Sequence, residues 1–141
     1  RQTKSLIKKG SNNCSFFYGE FSMQTYFALS IVAPAGQKIV NGLKTLEVRR
    51  WRPEQLPLKN LVIVENQHFL HQEGAEEMGH AIAIVDVREV HAWTEDEIEP
   101  AQASYWEAGY WAWTLENIRP IATIQPQIAK RKIYLIEMDH A

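Results

Sequence analysis

The chain predicts a mixed α/β (α+β) class that is mainly β: a mostly antiparallel barrel of about six strands, with two or three short helices at the rim. Three observations point there. Short runs of strand character recur at residues 27–32, 44–51 and 81–90. Residues 61–65 are almost continuously apolar, as a strand buried on both faces would be. Strands and helices nowhere alternate over lengths that would build a parallel sheet.

Composition sets the outer bounds. With 141 residues and 45% hydrophobic content, the chain makes one globular domain with a proper core. No run approaches the ~18 apolar residues that a membrane-spanning helix needs. Cys14 is the only cysteine, which excludes an intrachain disulfide and favours a reducing, cytoplasmic setting. A net charge of −2 argues against indiscriminate coating of nucleic acid, so any RNA is expected at a local site.

Residues 1–22 differ from the rest. They carry Arg1, Lys4, Lys8 and Lys9 against Glu20, with a turn signal at Ser11-Asn12-Asn13 and no apolar stretch of signal-peptide length. They read as a flexible extension ahead of a domain at residues 23–141, with a basic arm touching RNA as the lesser alternative. Deleting them is expected to leave a folded domain, because Phe16-Phe17-Tyr18 is too short to complete a barrel.

After the strand at 27–32, Pro34 suits the first turn of a helix running from Ala35 to about Asn41, ended by Gly42 at its C′ position. Lys44 would lie near that helix's carbonyl end, where the dipole favours a cation. Pro53 and Pro57 then punctuate a loop. In the 61–65 strand, Leu61 and Ile63 face opposite Val62 and Val64. His68, His71 and His80, with Glu73, Glu76 and Glu77 between them, fall in a loop broken by Gly74 and Gly79. They lack a complete ligand set for zinc and read as solvated loop residues.

In the strand at 81–90, Ala81, Ala83, Val85 and Val87 share one side, and Ile82, Ile84, Asp86 and Arg88 the other. Thr94-Glu95-Asp96-Glu97 has the spacing of a capping box, and its acids suit a helix's positive end. Pro100 should interrupt that helix, which resumes over 101–107. Trp111 and Trp113 fall on one face of the next strand, with Tyr110, Ala112 and Thr114 on the other. Asn117-Ile118-Arg119-Pro120 reads as a turn into a strand at 121–124, and residues 132–138 supply the closing strand. Pattern alone also allows an OB-type barrel.

Chemistry concentrates at residues 41–53, Asn-Gly-Leu-Lys-Thr-Leu-Glu-Val-Arg-Arg-Trp-Arg-Pro. Alternation puts Thr45, Glu47, Arg49 and Trp51 on one side and Lys44, Leu46, Val48 and Arg50 on the other. The plain reading is a half-exposed strand with a weak Glu47–Arg49 ion pair. The functional reading gathers Lys44, Glu47 and Arg49 in one cleft, since a twist after Gly42 and the reach of a lysine can overcome parity. Of the five tryptophans, Trp51 is the one flanked by Arg49, Arg50 and Arg52, as expected where a base stacks on an aromatic ring and arginines hold phosphates.

Gly42, Lys44, Thr45, Glu47 and Arg49, in that order, resemble the Gly-x-Lys-Thr-x-Glu-x-Arg signature of ASCH domains, members of the PUA-like superfamily. Residues 79–90 resemble that family's barrel strand, and residues 111–120 its Trp-x-Leu-x-Asn-x-Arg segment. The resemblance implies a PUA-like barrel that binds RNA or a nucleobase-containing ligand in a cleft beside the signature strand. It also implies that some members are hydrolases, acting on acetylcytidine or as ribonucleases. In the amidohydrolase group a lysine and a threonine of the motif work with a farther glutamate. Lys44 matches the lysine, but Glu47 stands in the threonine's place, with Thr45 close by; Glu97, Glu99 and Glu107 are all candidates for the farther acid.

A carboxylate is a poor acyl nucleophile, so the threonine route does not transfer. The favoured reading is a module binding RNA or a modified nucleoside beside residues 42–52, with Arg49, Arg50, Trp51, Arg52, Trp111, Trp113 and Asn117 as ligand contacts. The alternative is an amide or phosphodiester hydrolase with Lys44 as proton donor or oxyanion stabiliser, Glu47 as base and Thr45 in support. A protein-binding adaptor would need an exposed apolar patch. No cofactor, metal or membrane partner is implied.

Overall fold

The computed structural model describes residues 23–139, so the extension at 1–22 lies outside it. Six strands, β1 (Met23–Val32), β2 (Leu46–Arg49), β3 (Leu58–Asn66), β4 (Glu77–Ala92), β5 (Trp111–Ala129) and β6 (Ile133–Asp139), form one sheet in the order β2-β5-β4-β3-β1-β6. Two short helices, α1 (Ala35–Val40) and α2 (Ile98–Ala101), complete the mainly-β fold, α2 following a 3-10 turn at Glu95–Glu97. The sheet curls into a half-barrel whose edges are β2 and β6. Four pairings are antiparallel and one is parallel, as a mostly antiparallel sheet allows. The chain leaves β1 through α1 and β2 and returns as β3 alongside β1, so Ala28 to Val32 pair in parallel with Val62 to Asn66.

β3 is apolar on both faces because each face has its own core. Leu61 and Ile63 pack with Leu29, Ile39, Val85 and Trp113, while Val62 and Val64 pack with Ala28, Ile84, Ile121 and Met138. Side-chain parity along β4 does not run straight through. The register against β5 shifts between Ala81 and Ala83, so Ala81 joins the second cluster while Ala83, Val85 and Val87 join the first. An extra residue in a strand exchanges the faces beyond it, which is why simple alternation grouped Ala81 wrongly with Ala83.

The expected turn at residues 117–120 is a kink within one long strand. Asn117 takes φ 52° and the β4–β5 register shifts beside it, yet pairing continues through Pro120 opposite Ala83 and Pro126 opposite His80. Asparagine is one of the few residues that tolerates a left-handed backbone, which suits it to this bulge. Asn117 therefore bends the strand without ending it.

α1 is held from outside itself. The Glu65 carboxylate of β3 accepts the Gln37 N–H at 3.0 Å, one of the donors that a helix's first turn leaves unpaired. Gly36 allows the close approach: a Cβ there would lie 2.8 Å from Ile82 Cδ1 and 2.9 Å from Glu65 Oε2. At the other end Gly42, at φ 83°, donates to the Ile39 carbonyl, and Leu43 donates to that of Lys38. That pair of bonds is a Schellman stop, which turns the chain sharply out of the helix.

α2 also departs from expectation. Pro100 lies inside it instead of breaking it, because the first helical turn needs no N–H from that position. The helix stops at Gln102, in a left-handed conformation (φ 55°), and residues 102–110 run on without regular structure.

Candidate functional site

Lys44 precedes β2 and is not part of it, so strand parity does not govern its direction. The Schellman stop carries it back over α1, with the Lys44 N–H bonded to the Lys38 carbonyl at 3.1 Å. Its ammonium ends in the interior, 2.6 Å from the Ala101 carbonyl and 3.3 Å from Glu47 Oε1. The helix end that this cation caps is thus that of α2, not α1. Glu47, on β2, is buried, and its second oxygen accepts from Arg49 Nε at 2.6 Å. Burial alone would raise the Glu47 pKa; Arg49 and Lys44 outweigh it and hold the carboxyl below the usual value, so Glu47 stays charged.

Arg49 uses its other arm to cross the molecule. Its Nη2 donates to the Ser30 carbonyl of β1 at 2.8 Å. β2 and β1 are not neighbours in the sheet. A cleft of about 720 Å3 opens at this seam of the half-barrel. That volume falls within the range of roughly 300–1,000 Å3 typical of small-ligand pockets.

The cleft has a charged floor and mixed walls. Lys44, Glu47 and Arg49 lie along it with Ser30 and Ile31. One wall comes from residues 102–110, including Tyr105, Glu107 and Tyr110, and another from Asn66 at the end of β3 and the loop that follows, with His68 and Phe69. Lys130, Arg131 and Lys132, between β5 and β6, form a third bank. Six basic side chains face two carboxylates here, in a chain whose net charge is −2. A local site is where that positive charge has collected.

Aromatic faces interleave with the cations. Trp51 lines the cleft, its ring edge-on to the buried Trp113 at 5.0 Å, with the Lys132 ammonium 5.8 Å from the Trp51 centroid. Arg50 lies over Tyr110 at 5.0 Å. The loop at 66–68 is pinned by Glu77, whose carboxylate accepts from Asn66 Nδ2 and from the Gln67 and His68 N–H groups, each at 2.9 Å. The His68 ring, the same backbone bonds and Asn66 hold the Glu77 pKa down at about 2. His68 therefore serves this pin, while His71 stacks on Phe69 at 5.9 Å.

Several residues expected at the site lie elsewhere. Trp113 is fully buried, its indole N–H donating to the Trp51 carbonyl at 3.3 Å, so it supports Trp51 from behind. Trp111 carries Arg52 over its ring at 4.7 Å, and neither lines the cleft. Thr45 is exposed and outside the cleft, with its N–H on the Pro100 carbonyl and its own carbonyl on Leu115 N–H. Asn117 belongs to another cluster, around the buried Asp86. Asp86 accepts from Asn60 N–H (3.0 Å), Asn117 Nδ2 (3.1 Å) and Arg119 Nη2 (2.7 Å). Burial opposes the Asp86 charge; the Asn60, Asn117 and Arg119 contacts overcome it and keep its pKa low.

Of the three candidates for a farther glutamate, Glu107 alone lines the cleft. Glu97 is engaged by His91 Nε2 at 2.8 Å and Thr94 N–H at 3.1 Å, and Glu99 lies on α2. Sequence reading missed Ser30, Tyr105 and the cations at 130–132. The Lys-Arg-Lys run is visible in sequence as three consecutive charges, yet only Lys132 entered the reading, as the first residue of the closing strand. Nothing in sequence marked Ser30, whose part comes from the fold's curl.

A curled β-sheet with a cationic, aromatic-lined cleft at its open seam defines a compact β-module built to present one site. The ASCH domain family model matches residues 29–125, more than half of the chain, and the chain belongs to that family. A search of curated proteins found no match. No helix among the described residues is long and apolar enough to cross a membrane.

Proposed function

We propose that this ASCH protein binds RNA or a nucleoside-type ligand in the seam cleft and does not hydrolyse it. The observation that carries this reading is the state of Glu47. Its oxygens are engaged by two cations, at 3.3 Å and 2.6 Å, in a buried site that keeps it ionised. A carboxylate held in that way is a weak base, and it works instead to fix the directions of Lys44 and Arg49. With Thr45 outside the cleft, no hydroxyl of the motif is placed to attack. Trp51 offers a ring for a base, and Arg50 a charge for a phosphate beside it. Cys14 as the single cysteine supports a cytoplasmic setting for such binding.

One observation favours the hydrolase as a second reading. Lys44 uses two of its three N–H groups, on Ala101 and Glu47, which leaves one that can polarise a ligand carbonyl from the cleft floor. Incubating the protein with acetylcytidine, small amides and a short single-stranded RNA, followed by mass analysis and calorimetry, separates the two. Binding without product supports the module. Product that disappears in Lys44→Ala would establish the hydrolase, and neither binding nor product would end both.

A further inference from the structure

Three consecutive exposed cations, Lys130, Arg131 and Lys132, form one bank of the cleft. Among the described residues Lys130 has one carboxylate neighbour, Glu76 at 3.6 Å, with both side chains about half exposed, and such pairs bind weakly. Arg131 and Lys132 have no carboxylate within ion-pair distance among the described residues. Lys132 has a left-handed backbone, φ 59°, and its ammonium is placed over Trp51.

The backbone at the start of the bank is anchored. Lys130 N–H donates to Ser30 Oγ at 3.0 Å, Ser30 Oγ meets Tyr134 Oη at 3.1 Å, and Tyr134 O–H donates to the Ile128 carbonyl at 2.8 Å. Tyr134 has a single proton, so Ser30 must be the donor to it, and every link of the chain is satisfied. Ser30 also receives Arg49 on its carbonyl. Ser30 thus ties the Lys130 backbone and the Arg49 guanidinium to one residue of β1. Arg49 is already neutralised by Glu47, whereas Arg131 and Lys132 have no carboxylate partner among the described residues, so the unbalanced charge lies on the 130–132 turn. A phosphate there supplies the missing counter-charge.

We infer that the Lys130-Arg131-Lys132 turn is a second phosphate-binding bank, opposite Arg49 and Arg50. On this inference the occupant is a single-stranded RNA segment with phosphates on both sides of the base at Trp51, in place of a bare nucleoside. The inference rests on the binding function proposed above and narrows its ligand. It also replaces Arg52, which is turned onto Trp111 outside the cleft, as a phosphate contact. Trp51, beside the Lys132 ammonium, selects a nucleic-acid strand over an acidic peptide, because a peptide carboxylate brings no base to stack.

The test measures a short single-stranded RNA, the matching nucleosides and a poly-glutamate peptide against wild type and the Arg131→Gln/Lys132→Asn double variant. Asparagine suits the left-handed position of Lys132, and both sites are exposed, so folding is preserved and thermal melting checks it. Wild type should bind the RNA at least roughly tenfold more tightly than the nucleosides at low salt. In the double variant, the slope of log affinity against log salt should flatten by about 0.7 for each phosphate no longer neutralised, and RNA should lose more affinity than the nucleosides. An unchanged slope in a folded variant, or nucleosides matching RNA in wild type, would overturn the second bank while leaving the proposed function standing. Tighter binding of poly-glutamate than of RNA would overturn the ligand assignment. Failure of wild type to bind either RNA or nucleoside would remove the proposed function itself.

Discussion

Arg49 reaches the Ser30 carbonyl at 2.8 Å, joining β2 to β1 by a side chain where the sheet supplies no strand pairing. The same guanidinium holds Glu47 at 2.6 Å, so one residue bridges the seam of the half-barrel and, together with Lys44, keeps the carboxylate of the cleft floor charged. Arg49→Ala should lower stability by about 2–3 kcal/mol, since it strands a buried carboxylate with Lys44 alone. Arg49→Lys should recover less than half of that, because an ammonium cannot serve both acceptors in the guanidinium's fixed geometry. Urea denaturation of the three proteins checks this. An alanine variant as stable as wild type would show that the seam does not depend on the bridge.

Gly42 sets where Lys44 goes. At φ 83°, a Cβ strains the backbone even though open space surrounds it. Gly42→Ala should cost about 1 kcal/mol, and Gly42→Asn less, since asparagine accepts the left-handed region. Thermal melting of both variants reads the difference, and equal stabilities for alanine and asparagine would contradict a backbone origin.

The Asp86 cluster should affect folding and leave binding alone. Arg119→Ala removes the 2.7 Å partner of a buried carboxylate and should destabilise by about 3 kcal/mol. RNA affinity of the folded fraction should stay within about twofold of wild type, a difference under ~0.5 kcal/mol. A large loss of affinity with unchanged stability would return residues 117–119 to the binding site.

His91 introduces a pH dependence near neutrality. Its hydrogen bond to Glu97 raises its pKa above the usual 6.5 against the opposing effect of burial, and Glu97 and Glu89 both add attraction. A group whose folded-state value is raised contributes its stability fully below the unfolded value and loses it as pH climbs through the folded one. Melting temperature should therefore fall from pH 6 to pH 8 in wild type, by more than in His91→Gln. Parallel pH profiles for the two proteins would rule out this pair as the cause. At the acid end, depressed values at Glu47 and Asp86 predict lost stability as pH falls below their usual 4.5 and 3.8.

Element types along the chain were legible where local chemistry decides them. Gly42 as a helix stop, the two-faced core strand around Leu61 to Val64, and the signature linking Lys44, Glu47 and Arg49 could all be read directly. Parity reasoning succeeded at Trp111 and Trp113, which share a core face, and failed at Ala81, where a bulge changes the count. The parallel β1–β3 pairing was hidden because the crossover runs through a short strand as well as a helix. In the site, Arg52 follows Trp51 in sequence and Trp113 and Asn117 belong to the second resembling segment, yet strand geometry turns each to another partner. The bank at 130–132 is distant in sequence and comes to the cleft only because β6 pairs with β1, bringing the turn beside Ser30.

The central claim, that the seam holds RNA, is tested most directly by ultraviolet cross-linking of a bound single-stranded RNA, with the linked peptides mapped by mass spectrometry. Binding at the seam predicts nucleotide adducts on Trp51 and on Tyr105 or Tyr110, lost on competition with unlabelled RNA and reduced in Arg49→Ala. Adducts confined to peptides away from the cleft, such as those of the exposed β1–β6 face around Phe27 and Leu135, would contradict the assignment of the seam as the binding site.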